Sequence, residues 1–362
     1  MTLLNAGLIG CGFISEKHVQ ILSQLKDKFH LIAVADSDLG RADKIKALLP
    51  TNKEEKTVAL FTDYQALLEL GEIDVVIITT PSGLHSTMIK QALSKGKHVI
   101  VEKPFVLSLK DANEIIALSE ACNRQVLVCH QLRYRPIFQK TKALIEQNQF
   151  GKLYTASASV QINRPKEYYQ QASWRGTWED DGGMLLNQGL HVADLLLWFM
   201  GDIQSIYGKT KNFASWKETE DVAVGTIQFK NDVPGTISAN ALTQPKNIGY
   251  ALHVVSENGT VAFSGPALNQ VERFYLENES ISEKEVREIA MDHEDRLYMY
   301  KDFYQALTNP EHTATIDVYE AKKVLEFIFG LYYSDKLNKE VRFPITDFST
   351  IQMQQNSDKE GK

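Results

Sequence analysis

The sequence predicts two successive domains: an α/β Rossmann domain with a doubly wound parallel sheet, then an α+β domain with a large, open-faced, mostly antiparallel sheet. Three observations carry this. Short apolar runs alternate with helical stretches through the first third. The rhythm changes to β-segments after about Arg133. The 362 residues also exceed what one ordinary domain needs.

In order, LLNAGLIG reads as a buried strand and ISEKHVQILSQLKDK as an amphipathic helix. HLIAVAD is a second strand, followed by a helix over LGRADKIKALL. DVVIITTP is a third strand, before the helix HSTMIKQALSKG, which stops on glycine. HVIVEKP, the helix SLKDANEIIALSEAC and QVLVCH complete five strands. Apolar strands separated by helices form a parallel sheet covered on both faces. A helix over IFQKTKALIEQNQ then precedes the long strand KLYTASASVQINR. From Ile203 to Leu276 the chain runs as β-segments, with Asp232, Asn258 and Gly259 marking hairpin turns. Helices over RLYMYKDFYQALTN and VYEAKKVLEFIFGLYYSDKL follow. The expected division is 1–130, 131–345 and a polar, unstructured tail over 346–362.

Composition narrows the function. A formal net charge of −7 without a basic cluster argues against nucleic acid or an anionic membrane as partner. Cys11, Cys122 and Cys129 form no C-x-x-C pair and suit a reducing cytoplasm. The start, MTLLNAGLIGCGF, lacks the basic segment of a signal peptide, and no apolar run is long enough to span a bilayer. No metal site is expected.

The motifs gather at strand ends of the parallel sheet. GLIGCGFIS carries G-x-G-x-x-S, with Gly10, Gly12, Phe13 and Ile14 at the first strand-to-helix turn, where bare amides and a helix N-terminus hold a pyrophosphate. Asp36 closes the second strand, where a carboxylate accepts bonds from the adenosine ribose and repels a 2′-phosphate. NAD is therefore expected as cofactor, with nearby Arg41 the one feature favouring NADP; capping the next helix is the plain alternative for Asp36. Thr80 and Pro81 leave the third strand beside the expected ribose, and His85 begins the helix next to it. Glu102 and Lys103 leave the fourth strand at the same edge, where a lysine can favour a substrate oxyanion. Pro104 makes the turn, with a cis bond before it left open. In DDGGMLLNQGLHVAD, Asn187 and His191 stand four apart on one helix face, with Asp194 three further on.

These motifs, in this order and spacing, resemble the glucose–fructose oxidoreductase / inositol dehydrogenase family (Gfo/Idh/MocA). The resemblance runs on to YEAKKVLEFIFGLYYSDKLNKEVRFP. It implies NAD(P)-dependent oxidation of a sugar or polyol, and a second domain that often builds a homodimer or homotetramer. It also places His191 as the acid–base residue, with Lys103 assisting and the two roles open to exchange. Asn187 takes a substrate-binding position more commonly held by aspartate, and Trp174–Arg175 match an element near the nicotinamide.

The segment NRPKEYYQQASWRGTWEDDGG bears on the substrate. Arg164, Tyr168 and Tyr169 suit a large anionic ligand, the guanidinium as a bidentate clamp; exposed aromatics at a subunit interface are the plainer alternative. R-P-x-x-Y-Y, W-R-G-T-W and the Asn187–Gln188 pair resemble the WlbA/WbpB-type sugar-nucleotide dehydrogenases. That resemblance implies oxidation at C3 of UDP-N-acetyl-glucosaminuronic acid for bacterial surface polysaccharide, including lipopolysaccharide. The competing expectations are a dehydrogenase of a free polyol or monosaccharide, and a non-catalytic NAD-binding sensor.

Overall fold

The computed structural model describes residues 2–49, 58–277 and 282–356. The chain forms two compact units, and each takes more than one piece of it. The first comprises Met1–Val106, Asp111–Cys129 and Arg296–Ala321; the second comprises Leu107–Lys110, His130–Asp295 and Lys322–Lys362. In place of a single break after residue 130, the chain leaves the first unit, builds most of the second, and returns to the first over 296–321.

The first unit holds β1 (Leu4–Ile9), β2 (Phe29–Ala35), β3 (Ala59–Phe61), β4 (Val75–Ile78), β5 (His98–Val101) and β6 (Val126–Val128). Their order is β3-β2-β1-β4-β5-β6, and every pairing is parallel. Five match the expected strands; β3 has three residues, too few to show a period. Val75 to Ile78 and Val99 to Val101 have no exposed surface, as apolar runs covered on both faces require. Full burial of each such side chain stabilises by about 1.5–3 kcal/mol. The helix Asp295–Thr308 brings Tyr300 and Tyr304 edge-on to Phe29 of β2, both at 5.7 Å. Strand order reverses between β1 and β4, and a sheet of this kind binds ligands outside the carboxyl ends at such a reversal.

The second unit is built on β7 (Leu153–Gln161), β8 (Ile203–Lys211), β9 (Val222–Phe229), β10 (Pro234–Asn240), β11 (Gly249–Ser256), β12 (Gly259–Gly265), β13 (Gln270–Leu276) and β14 (Val341–Arg342). The order is β13-β12-β11-β7-β10-β9-β8-β14, antiparallel except where β7 meets β10. Asp232 takes φ +64° in the β9–β10 turn, a conformation Asp tolerates. The helix Leu190–Met200 packs on β7 and buries Val192, Ala193, Leu195, Leu196 and Phe199. Part of the expected tail is ordered. Thr350–Asn356 forms 3₁₀ turns; Thr350 is buried, and its hydroxyl donates to the Trp178 carbonyl at 2.6 Å. Residues 357–362 of that tail lie outside the described residues.

Candidate active site

The glycine turn follows β1 directly. Gly10 sits at φ +91°, and a Cβ there would lie 2.8 Å from Thr80 Cγ2 and 2.9 Å from the Thr79 carbonyl carbon. The exit of β4 thus packs against the turn, and only glycine fits. A Cβ on Gly12 would meet nothing within 4 Å, so open space faces the start of the helix Phe13–Gln24. Phe13 is 81% exposed, and Ser15, in the third motif position, is fully buried. Asp36 Oδ2 accepts from Cys11 N at 2.7 Å and Oδ1 from Asp38 N at 2.9 Å, which pins its carboxylate to the glycine turn. The cap of the following helix is Asp38, accepting from Gly40 N, so capping does not account for Asp36. Arg41 pairs with that same Asp38 at 3.5 Å. An anion-ready turn beside a fixed carboxylate fits a dinucleotide with a free ribose diol.

Two residues expected at the cofactor are placed otherwise. The His85 ring is fully buried, with Nδ1 2.8 Å from the Pro104 carbonyl and Nε2 3.1 Å from the Thr80 carbonyl. Burial holds its pKa below the usual value despite these contacts. His85 therefore braces the exits of β4 and β5, and its ring is not available to a cofactor. The Glu102 carboxylate is likewise buried among Arg296, His18 and the Lys103 amide. Lys103 itself is partly exposed at the carboxyl edge of β5, before a cis Lys103–Pro104 bond.

In the second unit, Gly182 (φ +82°) and Gly183 (φ +110°) lead into a π-helix, Leu185–Gly189, which continues as the helix Leu190–Met200. The expected α-helical turn is thus a wider i→i+5 turn, a feature common at functional sites. Gly183 admits Glu220 and Tyr332, which a Cβ would strike. Glu220 Oε1 accepts from Leu185 N at 2.8 Å and from the Tyr332 hydroxyl at 2.7 Å, clamping the start of the π-helix. Burial pushes Glu220 up to about 7, although those donors and Lys217 oppose it.

Asn187 donates from Nδ2 to Asp181 and accepts at Oδ1 from Gln188 Nε2 at 2.8 Å. Gln188 Nε2 also donates to the Tyr168 hydroxyl (3.0 Å), while its Oε1 accepts from Arg164 Nη2 (2.8 Å). The Arg164 and Arg175 guanidiniums lie 5.1 and 4.3 Å from the Tyr168 ring centre, and Arg175 lies 4.8 Å from that of Trp174. Nε of Arg164 and Nε of Arg175 are buried without a hydrogen-bond partner. His191 follows in the first turn of the helix Leu190–Met200 and is partly exposed.

Tyr169, expected beside Tyr168 in substrate contact, is a packing residue: it is 8% exposed, with Lys217 Nζ 5.4 Å from its ring centre. Asp194 is buried in the helix Leu190–Met200. Its carboxylate is bound by Arg133 (Nη2 at 2.7 Å, Nε at 2.9 Å) and His130 (3.2 Å), all three residues being at most 1% exposed. Burial would push its carboxyl up, but Arg133 first and then His130 hold it well below the usual range. Sequence reasoning did not single out Asp181, Gln188's bridging role or Glu220. Asp181, six residues before Asn187 in the DDGG run, carries a visible signal; Glu220 lies on a distant stretch and carries none.

Residues 4–130 match the family model described as the oxidoreductase family, NAD-binding Rossmann fold, and residues 138–262 match the GFO/IDH/MocA C-terminal domain. The chain belongs to the Gfo/Idh/MocA oxidoreductase family. Its first unit is thus that family's NAD-binding fold, and as a family member the chain is an NAD-dependent oxidoreductase. Among solved Gfo/Idh/MocA-like structures, the WlbA dehydrogenase of Bordetella pertussis, in complex with NADH and UDP-GlcNAcA, is 27% identical with TM-score 0.85, covering 95% of this chain and all of that one. WlbA of Chromobacterium violaceum, in complex with the same two ligands, is 29% identical with TM-score 0.86, covering 95% of this chain and 96% of that one. The scyllo-inositol 2-dehydrogenase (NAD(+)) of Bacillus subtilis is 26% identical over 71% of this chain and 73% of its own length. No described helix is long and apolar enough to cross a membrane.

Proposed function

We propose that this Gfo/Idh/MocA protein oxidises a secondary hydroxyl of a sugar nucleotide with NAD, most specifically C3 of UDP-N-acetyl-glucosaminuronic acid. The observation that carries this reading is the pair of guanidiniums on Tyr168. Two cations beside one ring, each with a buried Nε that no atom of the described residues satisfies, suit a ligand bearing diphosphate or carboxylate oxygens. A buried unsatisfied donor costs about 1–3 kcal/mol, which an anion would offset. A free polyol offers no such partner. The two WlbA structures, both in complex with UDP-GlcNAcA, support the same substrate class.

In this reading Gly10 and Gly12 admit the pyrophosphate, Asp36 accepts from the ribose diol, and the family resemblance gives Arg175 and Trp174 the role of nicotinamide contacts. Bound NAD supplies the hydride acceptor. Lys103 donates to the reacting hydroxyl oxygen and favours its anionic form. His191 takes the hydroxyl proton as the C–H bond breaks, leaving a ketone while the hydride passes to NAD; imidazole can both accept and return a proton. Asn187, whose amide cannot accept a proton as a base, orients the substrate together with Gln188. Arg164 holds the anionic group. The experiment is an NADH-absorbance assay of UDP-N-acetyl-glucosaminuronate beside scyllo-inositol and simple hexoses. Turnover of a free polyol with none on any UDP-sugar would overturn the substrate and leave the family assignment standing.

A further inference from the structure

A closed polar cluster lies directly behind Lys103 in the first unit. Glu102 Oε2 accepts from the Lys103 backbone N–H at 3.1 Å. Glu102 Oε1 lies 2.8 Å from Arg296 Nη1 and 3.0 Å from His18 Nε2. His18 Nδ1 is 2.6 Å from the Tyr300 hydroxyl. One tautomer satisfies the ring: Nε2–H donates to Glu102, and Nδ1 accepts from Tyr300. His18 and Tyr300 are fully buried.

His18, Glu102 and Cys129 also form the one group of potential metal ligands found among the described residues, with donor atoms within 4.8 Å of one another. Arg296 answers that possibility. Its guanidinium donates to Glu102 Oε1, so a fixed cation already serves this carboxylate; in the tautomer above its 3.1 Å approach to His18 Nε2 sets two donors side by side and is not a hydrogen bond. Burial alone would push the Glu102 carboxyl up; Arg296 and the His18 bond reverse this and hold it well below the usual range. An ionised carboxylate is the stronger acceptor for the Lys103 amide.

We propose that Arg296, with His18 and Tyr300 behind it, is a positioning residue that fixes the backbone of Lys103 through Glu102 and so aims the lysine at the reacting hydroxyl. This rests on the reading of Lys103 given above. A displacement of about 1 Å at such a group is enough to cost a hundredfold in rate.

The test compares Arg296→Gln, which loses the charge, with Arg296→Lys, which keeps it. In the free protein, hydrogen exchange at the Lys103 amide should accelerate at least about tenfold in Arg296→Gln and recover most of the way in Arg296→Lys. With NAD and UDP-N-acetyl-glucosaminuronate, Arg296→Gln should lower kcat by about ten- to a hundredfold, with NAD affinity and substrate KM within about threefold. In a Lys103→Met background the same change should lower residual kcat by less than about twofold, because both act through one group. A full independent loss in that background, or unaltered amide exchange, would overturn the inference. Should Arg296→Gln not fold, Tyr300→Phe keeps the ion pair and should still quicken exchange and lower kcat about threefold or more; no change in either would overturn it equally. If Lys103→Met leaves kcat near wild type, the reading of Lys103 fails, while amide exchange still decides whether the cluster fixes that backbone.

Discussion

Glu220→Gln is a sharp test of how the π-helix is held. The native carboxyl is pushed up to about 7 from an ordinary 4.5, first by burial. For an acid the sign follows directly: between these values the folded protein binds a proton that the unfolded chain has released. Stability therefore falls as pH rises from about 4.5 to 7, and the loss is complete above that. A difference of 2.5 pH units at 1.36 kcal/mol each gives roughly 3 kcal/mol. Glutamine keeps an oxygen to accept from Leu185 N and Tyr332 but carries no charge to bury. Relative to wild type, Glu220→Gln should thus gain roughly 2–3 kcal/mol between pH 5 and pH 8, since a small part of the loss has already occurred at pH 5. Trp174, Trp178, Trp198 and Trp216 are all four tryptophans of the chain, and all lie in the second unit, so tryptophan fluorescence during urea unfolding reports on that unit alone. A wild-type-minus-variant difference equal at the two pH values, within about 0.5 kcal/mol, would refute the reasoning.

Four further outcomes are expected. NAD should bind at least about tenfold more tightly than NADP, and Asp36→Ala should narrow the gap, because the carboxylate repels a 2′-phosphate; fluorescence titration checks this. Lys103→Ala should leave NAD affinity nearly intact and lower turnover by at least about a hundredfold, and a loss of only a few-fold would reduce Lys103 to a strand-end residue. Arg164→Ala should raise substrate KM about ten- to a hundredfold, whereas His191→Ala should mainly lower kcat; steady-state kinetics on the UDP-sugar separates the two. Gly183→Ala should destabilise the second unit by roughly 2–5 kcal/mol, combining left-handed strain with collision against Tyr332 and Glu220, as read from its urea midpoint.

Much of the fold was legible because its signals are local. Apolar runs such as VVII and VIV reveal strands covered on both faces, and Gly10, Gly12 and Asp36 announce their places at strand ends. β3 was not legible, since three residues carry no period. The return of 296–321 to the first unit was also hidden: the amphipathic pattern of that helix says which face is buried, never against what. At the site, the expected α-helical turn at Asn187 is a π turn, and the fate of each neighbouring carboxylate did not follow from spacing. Asp194 pairs with Arg133, 61 positions earlier, and Glu102 with Arg296, 194 positions later. Long-range pairing decides which polar residues are spent inside and which face a ligand.

The Glu102–Arg296 separation has a consequence for the nascent chain. A ribosome adding about 5–20 residues per second emits Arg296 on the order of 10–40 seconds after Glu102. From about residue 128 until Arg296 emerges, the parallel sheet has its glycine turn and all six strands but lacks the guanidinium that its buried carboxylate needs. A fragment ending near residue 130 would keep that deficit permanently, since an unpaired buried charge destabilises by about 3–5 kcal/mol. The nucleotide-binding unit is therefore poorly suited to transfer as a contiguous gene segment, and the most faithful recombination between relatives would carry 296–321 along with it.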